Sequence, residues 1–254
     1  SAAGIGAHYS PLQLDALAEG GAGRLHDTET AEDIIDVVLG ELGEISNTVA
    51  RHVSLFIRSP MGVRLECLSS TREFKSGNFL GIPLGMMQLN RMKTVALLTE
   101  VSELSKGKEL PFEAYVTWED VDSGEQLRSA AVNSVLRVVS SREAEKTKVD
   151  TEVVRKFADL WEASTAYQGM ILNEQLNYDG ANMLYKSNLE SFSKMVDCLE
   201  DGESRLSRHK LAGQRMGREW KGRSKRASFS MSKKMMLNEP DLRQRDAGKW
   251  HDEL

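Results

Sequence analysis

The sequence predicts an α+β fold in which an antiparallel β-sandwich lies between an incomplete N-terminal α/β segment and C-terminal α-helices. Three patterns predict this fold. Residues 1–51 combine short apolar runs with helical periodicity, and residues 52–141 alternate apolar and polar side chains between turn signals. Residues 142–212 return to helical spacing. Residues 213–254 are polar and basic, and we expect them to form a flexible tail.

The N-terminal segment, residues 1–51, is predicted to form a strand, a helix, a second strand and a second helix. The run from Ala2 to Gly6 favours a short strand, and Ser10 before Pro11 is typical of a helix start. Residues 24–26 favour a second strand. A longer helix should follow, because apolar side chains recur there at helical spacing, and we expect this stripe to pack on a parallel sheet. Its members are Ile34, Ile35, Val38, Leu39, Leu42 and Ile45.

Strand-like alternation dominates the central segment. The turn signals Lys75–Asn78 and Asp122–Gly124 separate some of the apolar runs. The runs begin at Val53, Val63, Phe79, Thr94, Phe112 and Leu127. Six or seven strands at this spacing predict an antiparallel β-sandwich. After it, helical periodicity from Val149 onward, with a break at residues 177–180, predicts two or three helices.

Charge is distributed unevenly along the chain. The stretch from Arg205 to Lys234 carries 11 basic residues and one acid, Glu219, whereas the rest carries 22 basic and 37 acidic residues. This stretch is the candidate binding site for an anion or an acidic partner. Its basic residues are Arg205, Arg208, Lys210, Arg215, Arg218, Lys221, Arg223, Lys225, Arg226, Lys233 and Lys234. The alternatives are an acidic protein, nucleic acid, an anionic lipid surface, or the chain's own acidic surface.

Parts of the first 140 residues resemble a von Willebrand factor type A protein. The resemblance rests on Gly4-Ile5-Gly6-Ala7-His8-Tyr9-Ser10, Leu14 to Ala18, Gly20-Gly21-Ala22-Gly23-Arg24, the helix Ile34 to Leu42, and Pro60-Met61-Gly62-Val63. It implies the last strand and helix of the type A domain, followed by a β-sandwich. The chain would then be the C-terminal part of such a protein. The family's metal-binding motif, D-x-S-x-S, occurs nowhere in this sequence, so we expect no metal site and no cofactor.

This resemblance implies a non-catalytic module for protein–protein interaction or scaffolding. The helical region loosely resembles plant-type proteins that join the type A domain to a RING finger. One alternative is therefore the substrate-recruiting part of a RING-type ubiquitin ligase, although this chain has no RING-type Cys/His array. A second alternative is binding of nucleic acid or lipid through the basic tail.

Two further features bear on location. No apolar run approaches the roughly 18 residues of a transmembrane helix, and we expect a cytoplasmic protein. The final His251-Asp252-Glu253-Leu254 matches an endoplasmic-reticulum retrieval signal, which would place the protein in that lumen instead. The two cysteines, Cys67 and Cys198, do not form a disulfide framework or a zinc motif, and a single bridge between them stays open.

Overall fold

The computed structural model describes residues 1–6, 8–21, 23–69, 72–102 and 107–239. The chain divides into two compact units. The first combines Ser1–Leu42 with the chain from Val149 onward, and the second is Gly43–Lys148. The N-terminal and helical segments, expected as separate parts, therefore belong to one unit.

The elements within the described residues follow the predicted order. They are β1 (Ala2–Ile5), α1 (Pro11–Gly20), β2 (Leu25–Thr28), α2 (Ala31–Ser46), β3 (Thr48–Arg58), β4 (Val63–Cys67), β5 (Phe74–Ser76), β6 (Phe79–Gln88), β7 (Leu97–Val101), β8 (Glu109–Asp120), β9 (Gln126–Arg128), β10 (Val132–Arg137), α3 (Ser141–Ala144), α4 (Thr151–Glu174), α5 (Tyr178–Val196), α6 (Gly202–Met216) and α7 (Arg223–Met236). The predicted fold class, which combines helices with a multi-stranded sheet, is confirmed.

The first unit packs helices against a two-stranded parallel sheet. Strands β1 and β2 pair in parallel, with Ala2 opposite Leu25 and Ile5 opposite Thr28. Helix α1 connects them and begins as predicted, because Ser10 accepts a hydrogen bond from the backbone N–H of Gln13. The core joins β2 to the later helices. Its buried members are Leu25, Ala163, Tyr167, Met170, Ala181, Tyr185, Met216, Phe229 and Met236.

The expectation of a flexible tail after residue 212 is wrong for residues 223–236, which form α7. Phe229 on this helix is fully buried, and its ring centroid lies 5.2 Å from that of Tyr167 on α4. The hydroxyl of Ser230 donates to the carbonyl of Leu25 on β2 at 3.1 Å. Ser228 and Ser232 on the same helix are buried as well. The predicted tail beyond residue 239, including the retrieval-like signal, lies outside the described residues.

The apolar stripe of α2 faces solvent, and the expectation that it packs inward on a sheet is wrong. Five of its members are between 51% and 61% exposed. They are Ile35, Val38, Leu39, Leu42 and Ile45. The inward side of the helix buries Asp33 and Val37 instead. Helical periodicity identifies a stripe but not the direction in which it points, and polar contacts decide the direction here.

The second unit is built from antiparallel strands. One sheet has the strand order β10-β8-β3-β6-β5, with β9 also paired to β8, and a separate pair joins β4 to β7. Side chains of both sheets share one apolar core, with Ile57, Leu80 and Ile82 from the larger sheet meeting Leu65 and Cys67. The sequence predicts one long strand from residue 127, but the chain forms β9 and β10 there with a break between them.

Neither cysteine forms a disulfide bond. Cys67 is buried and Cys198 is exposed, and both are free thiols. Burial raises the pKa of the Cys67 thiol to about 11, which makes it a poor nucleophile near neutral pH.

Among the described helices, none combines the length and the apolar character that a membrane crossing requires.

Candidate binding surfaces

An apolar stripe on the outer side of α2 is the first candidate surface. We define the α2 stripe as Ile35, Val38, Leu39 and Leu42, which lie in the first unit and recur at helical spacing on one face. Each of these side chains is more than half exposed. Contiguous exposed apolar side chains of this kind mark interaction sites more often than scattered ones do.

Polar contacts hold the opposite side of α2 against the sheet. The carboxylate of Glu41 contacts Nε2 of buried His26 on β2 at 3.0 Å and accepts a hydrogen bond from the Ser1 hydroxyl at 2.9 Å. Near the start of the helix, Asp33 accepts hydrogen bonds from the backbone N–H groups of Glu29 and Thr30 at 2.9 and 3.0 Å. These contacts orient α2 with its polar side inward, so the stripe must face outward.

The protonation states of His26 and Glu41 agree with this geometry. Burial lowers the pKa of His26 below its ordinary value, and the charges of Lys234 and Arg24 act in the same direction. The ring is therefore neutral near pH 7. The hydrogen bond from His26 lowers the pKa of Glu41 to about 2. A neutral imidazole thus donates its Nε2–H to a carboxylate, and this bond joins α2 to β2.

The outer edge of β1 forms the second part of this surface. The backbone N–H of Ala2 bonds to the carbonyl of Arg24, and the N–H of Gly6 bonds to the carbonyl of Thr28. Since hydrogen bonding alternates along a parallel strand, Ala3 and Ile5 present their N–H and C=O groups to the other edge. No described strand pairs with that edge. Ala3 and Ile5 are also exposed, Ile5 by 59%, so these two side chains of β1 are uncovered as well.

Ala3 and Ile5 point to the side of the sheet on which α2 lies. Residues opposite each other in neighbouring strands share a face, and Ala3 lies opposite His26. His26 contacts Glu41 of α2. The uncovered side chains of β1 and the helix α2 therefore occupy the same side of the two-stranded sheet.

The structure does not gather the 11 basic residues of the sequence-predicted site into one surface. Helix α6 carries Arg205, Arg208, Lys210 and Arg215. Helix α7 carries Arg223, Lys225, Arg226, Lys233 and Lys234, and the chain between the two helices carries Arg218 and Lys221. The exposed members are Lys210, Arg218, Lys221 and Arg223. Arg208 is half-buried and donates to the Ser204 hydroxyl at 3.1 Å, and the guanidinium of Arg215 lies 5.2 Å from the ring centroid of Trp220.

The buried side chain of Arg205 belongs to an ion-pair network. Its guanidinium contacts Asp159 at 2.8 Å, Glu162 at 2.7 Å and Asp201 at 2.9 Å. Burial raises the pKa of Glu162, although the charge of Arg205 opposes that effect. A guanidinium with three carboxylates around it stabilises the packing of α4 against α6 and is not available to an external anion.

Lys233 and Lys234 are buried as well. Lys233 is 4% exposed, pairs with the carboxylate of Asp15 on α1, and contacts Glu19 at 2.7 Å. Asp15 also accepts a hydrogen bond from the hydroxyl of Tyr167 at 2.8 Å. Lys234 is 1% exposed. These two lysines therefore lie in the interior of the first unit and do not present their charge to solvent.

Four of the predicted basic residues do come together, around a cavity of about 550 Å³ that we call the α7 cavity. They are Lys221, Arg223, Lys225 and Arg226. The remaining walls are His8, Tyr9, Pro11, Asn173, Glu174, Leu176, Tyr178, Glu219, Trp220 and Gly222. Sequence inspection identified the four cations. It missed the residues contributed by α1, α4 and α5, because they lie far away along the chain and carry no local signal.

No described group of three or more His, Cys, Asp or Glu side chains is arranged to hold a metal ion.

The sequence matches no family model and no curated protein. Solved structures do match. A von Willebrand factor type A protein from Catenulispora acidiphila has a TM-score of 0.52 and 12% identity, covering 76% of this chain and 49% of that one.

The ArnB paralog VWA2 from Sulfolobus acidocaldarius has a TM-score of 0.51 and 12% identity, covering 92% of this chain and 54% of that one. The human COPII-coat protein Sec24c has a TM-score of 0.43 and 14% identity, covering 83% of this chain and 32% of that one. This chain thus spans about half the length of the first two structures. Its fold resembles that of von Willebrand factor type A proteins.

Proposed function

We propose that this chain is the C-terminal part of a von Willebrand factor type A protein and acts as a non-catalytic protein-binding module. The observation that carries the proposal is the outward α2 stripe on the same side of the sheet as the uncovered side chains of β1. Fully burying one Val, Leu or Ile side chain contributes roughly 1.5–3 kcal/mol. Covering the four members of the stripe would therefore supply a substantial driving force for association.

The occupant we infer is a parallel β-strand with apolar side chains directed toward α2, of the kind that the rest of a type A sheet would supply. Parallel sheets are normally covered on both faces, and their strands are correspondingly apolar. The N–H and C=O groups of Ala3 and Ile5 offer main-chain hydrogen bonds to such a strand. The α2 stripe offers the apolar cover for its side chains.

A photo-reactive amino acid placed at Leu39 tests this proposal. Leu39 is 61% exposed on the stripe, so a docked partner would lie within reach of the probe. We expect cross-linking in cell extract to one protein, with the linked peptide showing the apolar composition of a buried strand. Adding the substitutions Val38→Lys and Leu42→Lys should abolish the product, because a charged stripe cannot pack against apolar side chains.

Met183 provides the matched control. It lies on α5 and is 67% exposed, but it is not part of the stripe. A probe at Met183 should not capture the same protein. Equal capture from Leu39 and Met183, or capture from Leu39 that survives the two lysine substitutions, would contradict the proposed surface. The alternative role in a RING-type ligase rests on sequence resemblance alone, and no contact described above favours it.

A further inference from the structure

We propose that the outer edge of β10 pairs with the same edge of a second copy of this chain. The product is a two-fold symmetric dimer in which the larger sheets of the two copies form one continuous antiparallel sheet. The two copies of Ser134 lie opposite each other at the symmetry axis. This edge belongs to the second unit, is separate from the α2 stripe, and does not depend on the protein-binding function proposed above.

The main chain of β10 is open on one side. Strand β10 forms one end of the larger sheet, and no described strand pairs with its outer side. Just beyond β10, the N–H of Val138 donates to the carbonyl of Lys108 at 2.9 Å, which continues the pairing with β8. Because main-chain bonding alternates along an antiparallel pair, the odd-numbered positions of β10 face the other way. Asn133, Val135 and Arg137 therefore present their N–H and C=O groups to the open edge.

Strand β10 lacks the features with which proteins usually protect a sheet edge. It pairs with β8 over six residues in a continuous register, and it contains neither proline nor lysine. The opposite edge of the same sheet is β5, which is only three residues long and contains Lys75. Short edge strands and edge lysines discourage pairing with other chains. One edge of this sheet is therefore protected, and the other is available.

The side chains of β10 are uncovered as well. Val132 and Leu136 are 70% and 52% exposed, and they lie opposite Ala114 and Leu110 of β8. Leu110 is buried and Ala114 packs against the apolar core of this unit, so Val132 and Leu136 share the face of the sheet that carries the core. Val135, on the other face, is also more than half exposed. A partner strand would cover the main chain and these apolar side chains together.

The sequence of β10 is complementary to itself when a second copy runs antiparallel about Ser134. Residues opposite each other in antiparallel strands share a face and contact each other. Val132 of each copy then meets Leu136 of the other, and the two Ser134 side chains lie side by side. The main-chain groups of Asn133 exchange hydrogen bonds with those of Val135 in the other copy. Such self-complementary contacts are the basis of two-fold dimers.

Charge also favours the antiparallel arrangement. The one charged side chain of β10 is Arg137, which already pairs with Glu109 of β8 at 2.9 Å. In the antiparallel dimer, Arg137 lies opposite Ala131 of the other copy, so like charges do not meet. A parallel, in-register pair would place the two Arg137 side chains opposite each other, which is destabilising.

The substitution Ser134→Cys tests the symmetry axis, in a background in which Cys198→Ser removes the exposed native thiol. Across the open edge, the two Ser134 residues form a non-hydrogen-bonded pair with Cα atoms about 4.5 Å apart, which a disulfide can bridge. We expect Ser134→Cys to form an intermolecular disulfide under mild oxidation. Val132→Cys and Leu136→Cys should not form one singly, whereas an equal mixture of these two variants should.

Analytical ultracentrifugation of the full chain tests the same edge without engineered thiols. We expect a concentration-dependent equilibrium between monomer and dimer. Val135→Pro should weaken dimerisation by about tenfold or more, because it removes an N–H that faces the open edge in each copy and keeps the bonds from β10 to β8. Met61→Lys is the control, because Met61 is 82% exposed in the turn between β3 and β4, and it should leave the equilibrium unchanged.

Linking of Ser134→Cys together with loss of the dimer in Val135→Pro supports the proposal. A wild-type chain that stays monomeric up to about 100 µM overturns it, and so does a dimer that Val135→Pro leaves intact. Failure of Ser134→Cys to link, or equal linking by Val132→Cys alone, overturns it whatever the proline variant does. A monomeric chain whose Val135 amide becomes protected only in a complex with another protein would assign the edge to a foreign strand and would also overturn the dimer.

Discussion

Replacing Phe229 by alanine should lower the free energy of unfolding of the first unit by about 3–5 kcal/mol. Phe229 is fully buried, and its ring contacts that of Tyr167 in the core that α7 shares with α4. Removing the ring leaves a cavity that the rigid neighbouring helices can fill only in part. Urea denaturation followed by circular dichroism of the helices measures the loss.

Met235 is the matched control for this prediction. It lies on the same helix but is 45% exposed. Met235→Ala should change the free energy of unfolding by less than about 1 kcal/mol, because surface substitutions usually have small effects. Equal stability of Phe229→Ala and the wild-type chain would mean that α7 does not pack as described, as expected for a flexible tail.

Replacing Lys233 by methionine should lower the free energy of unfolding by about 3–5 kcal/mol, although the side-chain volume is nearly kept. The substitution leaves Asp15 buried with its charge uncompensated, since Lys233 is its cationic partner. Glu19 loses the same partner. Breaking a buried ion pair from one side is costly because the remaining charge stays in a poorly solvated place. The same denaturation experiment measures the effect.

Lys194→Met supplies the comparison. Lys194 pairs with Glu190 one turn earlier on α5, and both side chains are more than 70% exposed. The loss of such a pair should cost no more than about 0.5 kcal/mol. Similar losses in Lys233→Met and Lys194→Met would show that the Lys233–Asp15 pair is solvated and would contradict its burial between α1 and α7.

The basic C-terminal stretch shows why local sequence misled the prediction. A segment with eleven cations and a single acid is typical of a solvated, flexible tail. In the structure, however, several of these cations pair with residues from distant parts of the chain. Asp15 and Glu19, which pair with Lys233, precede it by more than 200 residues. A composition-based expectation cannot include such pairing. The apolar members Phe229, Met231 and Met236 were the signal for burial, and the surrounding charge obscured them.

The first three elements were predictable because their signals are local. The Ser10-Pro11 helix start and the short apolar runs identify α1, β1 and β2 at nearly their observed bounds. The direction of the α2 stripe was not predictable, since periodicity is unchanged when a helix turns about its axis. His26 and Glu41 set that direction through a contact between β2 and the helix.

The second unit was predicted in outline from period-two alternation. The three-residue strand β5 was missed because Phe74–Ser76 is too short to show a period and borders a turn. The pairing register of β3 also could not be predicted from the sequence. Its pairing shifts between Ala50 and Val53, around His52, whose φ of 50° lies in the left-handed region. A bulge of this kind breaks the alternation on which strand prediction depends.

Amide hydrogen exchange at β1, measured by nuclear magnetic resonance, tests the open-edge account most directly. In the free chain, the N–H groups of Ala3 and Ile5 should exchange much faster than that of Gly4, which alternation directs toward β2. In the complex captured through Leu39, the Ala3 and Ile5 amides should become protected. Unchanged exchange of these two amides in the complex, or full protection already in the free chain, would contradict the docking of a strand at this edge.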